Sequence, residues 1–352
     1  MQNWDLLKSA GPVLVTGHTG FKGTWLTLLL ERMGVEVIGY SLPPEINSMY
    51  SRLNRQQKIN EKFGDIRNFD VTSSFIASTK PGAIFHLAAQ PLVLESYAHP
   101  LETFETNVMG TANILQCAFE TKSVKTVVAV TTDKVYKNLN SGKSFLEDDP
   151  LEGKDPYSAS KVGAESVIAA WQQIARTSGG PTVSAVRAGN VVGGGDYSSN
   201  RIVPDIIRGI ENKSVVDIRN AESTRPWQHA LDPLFGYGLV ALSNLAGKEI
   251  KNINFGPLEK SLPVRDVVNS AIDIFGEKLQ LRYTNENSKP LESQLLDLDS
   301  NKARVELKWI PTWSQKEALR ATFIWWEKVL ENPFAAAEVC AIDINTLIDS
   351  KS

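Results

Sequence analysis

The chain has 352 residues, a formal net charge of −3 and 42% hydrophobic residues. That length holds one large α/β unit with an appended lobe. The charge offers no basic field for nucleic acid, so any phosphate must be held by local geometry and individual arginines. Two cysteines, Cys117 and Cys340, and four histidines, His18, His86, His99 and His229, show neither a disulfide framework nor metal-ligand spacing, so no metal is expected. There is no signal pattern, and no apolar run approaches the ~20 residues that span a bilayer. The expectation is a soluble chain in the reducing cytoplasm, with no membrane partner.

In chain order, the first informative stretch is Val13-Leu14-Val15-Thr16-Gly17-His18-Thr19-Gly20-Phe21-Lys22-Gly23. A short apolar run breaks into glycines spaced G-x-x-G-x-x-G, and residues 25–30 then supply the apolar face of a helix. Strand, glycine turn and helix N-terminus together make an anion site, where backbone N–H groups meet a pyrophosphate that the missing side chains allow to approach. Gly17, Thr19, Gly20, Phe21, Lys22 and Gly23 are therefore candidate dinucleotide contacts. Further apolar runs at 35–40, 83–89, 126–130, 183–186 and 253–255 predict strands, with helices between most of them, notably 101–121 and 155–175. This alternation predicts an α/β fold with a doubly wound parallel sheet.

After Arg187 the pattern changes. Residues 190–196 form a glycine-rich loop, followed by a helix over 202–210, a short strand over 215–218 and a sheet-flanking helix over 231–245. From residue 257 onward a smaller, mostly helical lobe is expected, including a helix over 313–330 with the pair Trp325-Trp326, read as core packing. The two lobes are thus interleaved: 1–190 with 228–256 for the cofactor, and 191–227 with 257–352 for the substrate. The cleft between them is the expected substrate site.

The second constellation is Tyr157-Ser158-Ala159-Ser160-Lys161. Tyrosine and lysine four apart on a helix share a face. An ammonium beside a phenol favours phenolate, which can take a proton from a substrate hydroxyl while hydride leaves the same carbon. The strand before it ends in Thr131-Thr132-Asp133, and a hydroxyl at a strand's carboxyl end faces the cleft in this topology.

The glycine motif with Tyr157 and Lys161 resembles the extended short-chain dehydrogenase/reductase superfamily, whose sheet is of the Rossmann type. Phe85-His86-Leu87-Ala88-Ala89-Gln90 is similar to the family's fourth strand, and Gly64-Asp65-Ile66 to its adenine loop. Asn107 matches the helix asparagine that supports the active-site geometry. The resemblance thereby implies cofactor contacts at Asp65, Ile66, Leu87, Ala88, Ala89, Asn107, Tyr157 and Lys161. Within the superfamily, Ala89-Gln90-Pro91-Leu92-Val93, Thr132-Asp133-Lys134, Arg187-Ala188-Gly189-Asn190-Val191, Arg201-Ile202-Val203-Pro204-Asp205 and Arg225-Pro226-Trp227-Gln228-His229 resemble the CDP-glucose 4,6-dehydratases.

Elimination of water requires one base and one acid beyond the redox tyrosine, and Lys134 and Asp133 are the expected pair, with Thr132 on the C4 oxygen. A nucleotide sugar carries a diphosphate, so cleft arginines are expected. Gln90, Asn190, Arg201, Arg219, Arg225 and His229 are the candidate substrate contacts. For Arg219 a strand-edge role, and for His229 a hydrogen-bonded structural role, stand beside that reading. The second strand ends Gly39-Tyr40-Ser41, without the acid that usually grips the ribose 2′-hydroxyl. NAD is thus implied by the resemblance rather than by that strand, as is a homodimer or homotetramer. The competing readings are a nucleotide-sugar 4-epimerase or reductase, which needs neither Asp133 nor Lys134, and a non-enzymatic dinucleotide-binding protein.

Overall fold

The computed structural model describes residues 4–139, 142–284 and 296–351. Seven strands form the central sheet: β1 (Val13–Thr16), β2 (Val37–Ser41), β3 (Asn60–Phe63), β4 (Ala83–His86), β5 (Thr126–Val130), β6 (Thr182–Ala188) and β7 (Asn252–Phe255). Their order is β7-β6-β5-β4-β1-β2-β3, and every pair is parallel. Six of the seven read as apolar runs because helices cover both faces. The edge strand β3, Asn-Glu-Lys-Phe with every residue at least partly exposed, carried no such run and was not predicted. The strand order reverses between β1 and β4, and the crevice beyond their carboxyl ends is where an open α/β sheet binds ligands.

Helix α1 (Phe21–Arg32) buries Trp25, Leu26, Leu29 and Leu30 completely against the sheet. The predicted helix over 101–121 is interrupted. Pro100–Phe104 is α-helical, Glu105–Met109 is a π-helical turn, and α2 (Gly110–Glu120) resumes the regular pitch. Single π turns inside α-helices are frequent at functional positions, and this one holds Asn107. Helix α3 (Pro156–Ser178) starts from Asp155 through a reciprocal capping box with Ser158, with Pro156 in the first turn. Its rigid start fixes Tyr157 and Lys161. Helix α4 (Leu231–Leu245) is buried along nearly its whole length, against α1 and β5.

The later part of the chain adds α5 (Val264–Phe275), α6 (Gln315–Glu331) and α7 (Ala336–Ser350). It is helical as expected, and short two-stranded sheets accompany it, joining Thr224–Arg225 to Leu262–Pro263 and Val216–Arg219 to Leu281–Thr284. One apolar core runs from Val15 and Trp25 through α4 to Trp309, Trp325, Trp326 and Leu347. Trp325 and Trp326 are buried, as read from the sequence. A second core on the other face packs Ile84, Val127 and Ile168. No helix among the described residues is long and apolar enough to cross a membrane.

Candidate active site

The glycine turn follows directly from β1. Gly17 has φ +73°, and a Cβ there would lie 2.8 Å from the Ala88 nitrogen. Its missing side chain is what lets β1 and the end of β4 close together at the crevice. A Cβ on Gly23 would lie 2.0 Å from the Gly17 carbonyl oxygen, whereas one on Gly20 would meet only that oxygen, at 3.3 Å. Gly20 thus faces open space at the start of α1, where no side chain caps the first N–H groups. The turn therefore fits a dinucleotide pyrophosphate: uncapped donors, a positive helix end and room for close approach. The Thr19 hydroxyl lies 2.5 Å from Ser41 Oγ at the end of β2 and donates to the Leu42 carbonyl. Hydroxyls, not a carboxylate, stand at the strand end where the ribose acid is usual.

The walls of this cradle are equally ordered. Asp65 accepts from the Arg67 backbone N–H at 2.8 Å and from its guanidinium at 2.6 and 2.9 Å. Burial raises the Asp65 carboxyl, but the Arg67 bonds outweigh it and hold the group below its usual range. Ile66 packs under Gly110. Leu87 and Ala88 donate their backbone N–H groups to Thr16 Oγ1, which also lies 2.8 Å from His86 Nδ1. His86 Nε2 reaches the Thr111 hydroxyl at 3.1 Å. Burial pushes His86 down to about 3, so it is neutral across the physiological range.

The second half of the site gathers around Tyr157. The Thr131–Tyr136 stretch contains a 3₁₀ turn, Asp133–Val135, capped by Thr132, whose Oγ1 accepts from the Lys134 N–H at 3.3 Å and donates to Asp133 Oδ1 at 3.0 Å. Asp133 is buried, and its Oδ2 would lie 3.2 Å from a Cβ at Gly189, a tight contact that the glycine relieves. Tyr157 is hydrogen-bonded to Thr132 and lies in the field of Lys134, Asp133 and Arg201. The Lys161 ammonium donates to the Val130 carbonyl at 3.2 Å, and burial lowers it to about 8. One expectation is revised here. Burial dominates Tyr157 and raises its phenol above the ordinary value; the largest opposing charge is Lys134, on the turn, rather than Lys161, on the helix.

Other candidates fall into distinct places. Asn107 clamps rather than points: its Oδ1 accepts from the Gln90 N–H at 2.8 Å, and its Nδ2 donates to the Gln90 carbonyl and to Ser160 Oγ. Gln90 spends its side chain locally, donating to Leu92 O and Thr103 Oγ1 and accepting from the Leu92 N–H. It therefore shapes the wall beside Ala89 rather than reaching into the cleft. Asn190 keeps a buried Oδ1 with no hydrogen-bond partner among the described residues. Arg201 donates to Asp196 at 3.2 Å and lies close enough to influence both Tyr157 and Lys22. Arg225 sits in the short strand opposite Leu262. The Arg219 backbone pairs with Thr284, and its side chain lies outside the described residues. His229 is fully buried beside Trp25 and Trp313, its Nδ1 accepting from the Leu231 N–H. This placement gives His229 the surroundings of a hydrogen-bonded core histidine.

Two features were not legible. Lys22 donates to the Tyr237 hydroxyl at 2.8 Å, and removal from water beside Lys161 and Arg201 lowers its ammonium to about 7. Tyr237 lies on α4, 215 positions away in sequence, and no local pattern marks it. The glycine-rich loop is also held more tightly than expected. Gly194 stacks on Trp325, its carbonyl accepts from Trp25 Nε1 at 3.0 Å, and Gly195 lies on Met49.

Comparison with known proteins agrees with this geometry. Residues 14–322 match the family described as GDP-mannose 4,6 dehydratase. A CDP-glucose 4,6-dehydratase of Salmonella typhimurium is 41% identical over 322 residues, covering 89% of each chain. A UDP-glucuronate 4-epimerase of Thermodesulfobacterium geofontis is 27% identical over 91% of this chain and 98% of its own. Among solved structures, DesIV, a dTDP-glucose 4,6-dehydratase from Streptomyces venezuelae with NAD and TYD bound, superposes with a TM-score of 0.75 at 27% identity, over 91% and 97% of the two chains. With the motifs, the sheet order and the crevice all in agreement, the chain belongs to the GDP-mannose 4,6 dehydratase family.

Proposed function

We propose that this protein is an NAD-dependent nucleotide-sugar 4,6-dehydratase that converts CDP-glucose to CDP-4-keto-6-deoxyglucose. The observation that carries the reading is the neighbourhood of Tyr157. A redox phenol, the Thr132 hydroxyl, the Asp133 carboxyl and the Lys134 ammonium surround one point of the crevice. Oxidation alone uses the phenol and the hydroxyl. The Asp133 carboxyl in its protonated form and the Lys134 amine in its deprotonated form are the extra acid and base that elimination needs. The 41% identical relative that bears the same activity supports cytidine as the base.

The hydride acceptor for C4 and the hydride donor for C6 would be supplied by bound NAD. The glycine turn, with Thr19, Phe21 and Lys22, would hold its pyrophosphate; Asp65 and Ile66 the adenine; Leu87, Ala88 and Ala89 the nicotinamide side; and Lys161 the ribose. Tyr157 acts in its phenolate form, which burial disfavours and the Lys134 charge and Thr132 bond favour, to take the C4 hydroxyl proton while Thr132 bonds the C4 oxygen. Lys134 removes the C5 proton, made acidic by the adjacent ketone, and Asp133 protonates the departing C6 hydroxyl. Arg201 and Arg225 would bind the nucleotide diphosphate, and Asn190 Oδ1 would accept from a substrate hydroxyl. Leu94, Tyr97, Leu101, Phe104 and Met109, all more than a third exposed within one short stretch, support self-association of the chain.

Two experiments test the reading. Purified protein is offered CDP-, UDP-, GDP- and dTDP-glucose, and 4-keto-sugar formation is followed; CDP-glucose is expected to be preferred, and turnover of another base alone overturns the nucleotide assignment. Lys134→Met and Asp133→Asn should permit C4 oxidation while blocking dehydration, so that reduced cofactor accumulates. In deuterated water Lys134→Met should fail to exchange the C5 hydrogen. Exchange at the parental rate removes Lys134 as the base, and an epimerised product identifies the competing 4-epimerase activity.

A further inference from the structure

Both ends of the turn that carries Thr132, Asp133 and Lys134 are tied to a single buried ion pair. Glu165 lies one helical turn beyond Lys161 on α3, and Arg187 lies on β6; their side chains are 4% and 2% exposed. The guanidinium grips the carboxylate with two bonds of 2.8 Å. At the near end of the turn, the Thr131 hydroxyl donates to Glu165 Oε1 at 2.6 Å. At the far end, Arg187 Nη1 donates to the Tyr136 hydroxyl and to the Glu147 carbonyl, each at 2.8 Å. The Tyr136 hydroxyl donates to Asn254 Oδ1 at 2.7 Å. Burial disfavours the Arg187 charge, but the Glu165 bonds outweigh it and the guanidinium stays firmly protonated.

We infer that Glu165 and Arg187 are positioning residues that fasten the turn 131–136 to α3, so that Thr132, Asp133 and Lys134 stay in register with Tyr157 and Lys161. The two halves of the chemistry come from different elements. Proton removal at C4 is served by Tyr157 and Lys161 on α3, with only the Thr132 hydroxyl of the turn on the C4 oxygen, whereas elimination across C5 and C6 is served wholly from the turn, by Asp133 and Lys134. They must address neighbouring carbons of one sugar ring, where a misplacement of about 1 Å costs on the order of 10²-fold in rate. Backbone pairing fixes β5 and β6 beside each other, with the Thr131 N–H on the Val186 carbonyl. Backbone bonds from Lys137 to Pro150 and from Glu152 to Val135 also tie the far end of the turn to the segment leading into α3, but among the described residues no backbone bond joins the turn to the helix itself. The ion pair does, because one carboxylate bonds both the turn and the neighbouring strand. Stability is a weak explanation for such a pair, since apolar residues of equal volume often serve a fold as well. Register explains its location and its two ties.

The inference rests on the roles proposed above for the turn residues. Its test removes the ties without touching the pair or those residues. Thr131→Val and Tyr136→Phe each delete one hydroxyl and keep the shape. In both, cofactor content and melting temperature should stay near the parent, and single-turnover C4 oxidation should remain within about 3-fold. Overall turnover should fall at least ~10-fold, with reduced cofactor accumulating and C5 exchange slowed. Thr131→Ser, which keeps the hydroxyl, should restore turnover to within about 2-fold. Unchanged turnover in both variants overturns the inference. So does an equal slowing of oxidation and elimination, or loss of fold, because the ties would then serve the core and not the register. If Lys134→Met still exchanges the C5 hydrogen, the reading of the turn itself fails; if Lys134→Met behaves as expected and the hydroxyl variants turn over normally, only the positioning role fails.

Discussion

Gly20 and Gly23 occupy the same motif, yet their substitutions should fail in different ways. A Cβ on Gly23 lies 2.0 Å from the Gly17 carbonyl oxygen and 2.7 Å from His18 Cα, where ordinary contact begins at 3.4 Å. Both obstacles are backbone, so no rotamer relieves them, and the first turn of α1 must retreat by about 1.4 Å. Overpacking of this kind costs roughly 1–3 kcal/mol. A chain of this length shifts by less than about 2–4 °C per kcal/mol, the range for chains of roughly 150–250 residues, so Gly23→Ala should lower the melting temperature by a few degrees. It should also weaken the dinucleotide, because the retreating helix carries the N–H donors away. A Cβ on Gly20 meets only one oxygen, at 3.3 Å, and Gly20 has φ −74°, which any residue adopts. Gly20→Val should therefore leave the melting temperature of the cofactor-free protein near the parental value while its branches occupy the pyrophosphate space. A loss of 100-fold or more in affinity, about 2.7 kcal/mol, is expected. Calorimetric melting of cofactor-stripped protein and titration with NAD read the two effects separately. Parental NAD affinity in Gly20→Val would show that the loop is only a turn. Parental stability in Gly23→Ala would refute the close approach on which the cradle is built.

Tyr157→Phe keeps the ring and removes the ionisable oxygen, so the fold and cofactor binding should survive while turnover drops by roughly 10²–10⁴; near-normal turnover ends the proposed proton transfer. His86 should make the protein acid-sensitive. Its folded pKa of about 3 lies below its unfolded value of 6.5, so the unfolded chain binds the extra proton between those limits. The stability it contributes is complete above pH 6.5 and is lost as pH falls, at no more than about 1.36 kcal/mol per unit. Between pH 6.5 and 4.5 that is on the order of 2–3 kcal/mol, and denaturant melts of His86→Gln should show a correspondingly flatter acid limb. The same acid dependence in parent and variant would mean that His86 is not the responsible group.

Much of this molecule is written locally. The apolar runs of the sheet, the glycine turn, the Asp155-Pro156 helix start and the Tyr157–Lys161 spacing each depend on residues within a few positions of one another, and physics at that range is legible in one dimension. The edge strand β3 escaped because none of its residues is fully buried and Asn60, Glu61 and Lys62 are polar. What only the tertiary structure decided is which groups meet. Burial, a property of the assembled cleft, raises the Tyr157 phenol against the expectation from Lys161 alone, and Lys134 replaces Lys161 as its strongest opposing charge. Gln90 and His229 looked like ligand contacts in their motifs, yet one is used up within its loop and the other is enclosed by tryptophans. Lys22 meets Tyr237, and Glu165 joins Arg187 to Thr131, across long separations in the chain. Such pairings follow from the sheet order and the packing of α3 and α4 on it, and sequence spacing carries no trace of them because contact across a folded core depends on the path of the whole chain.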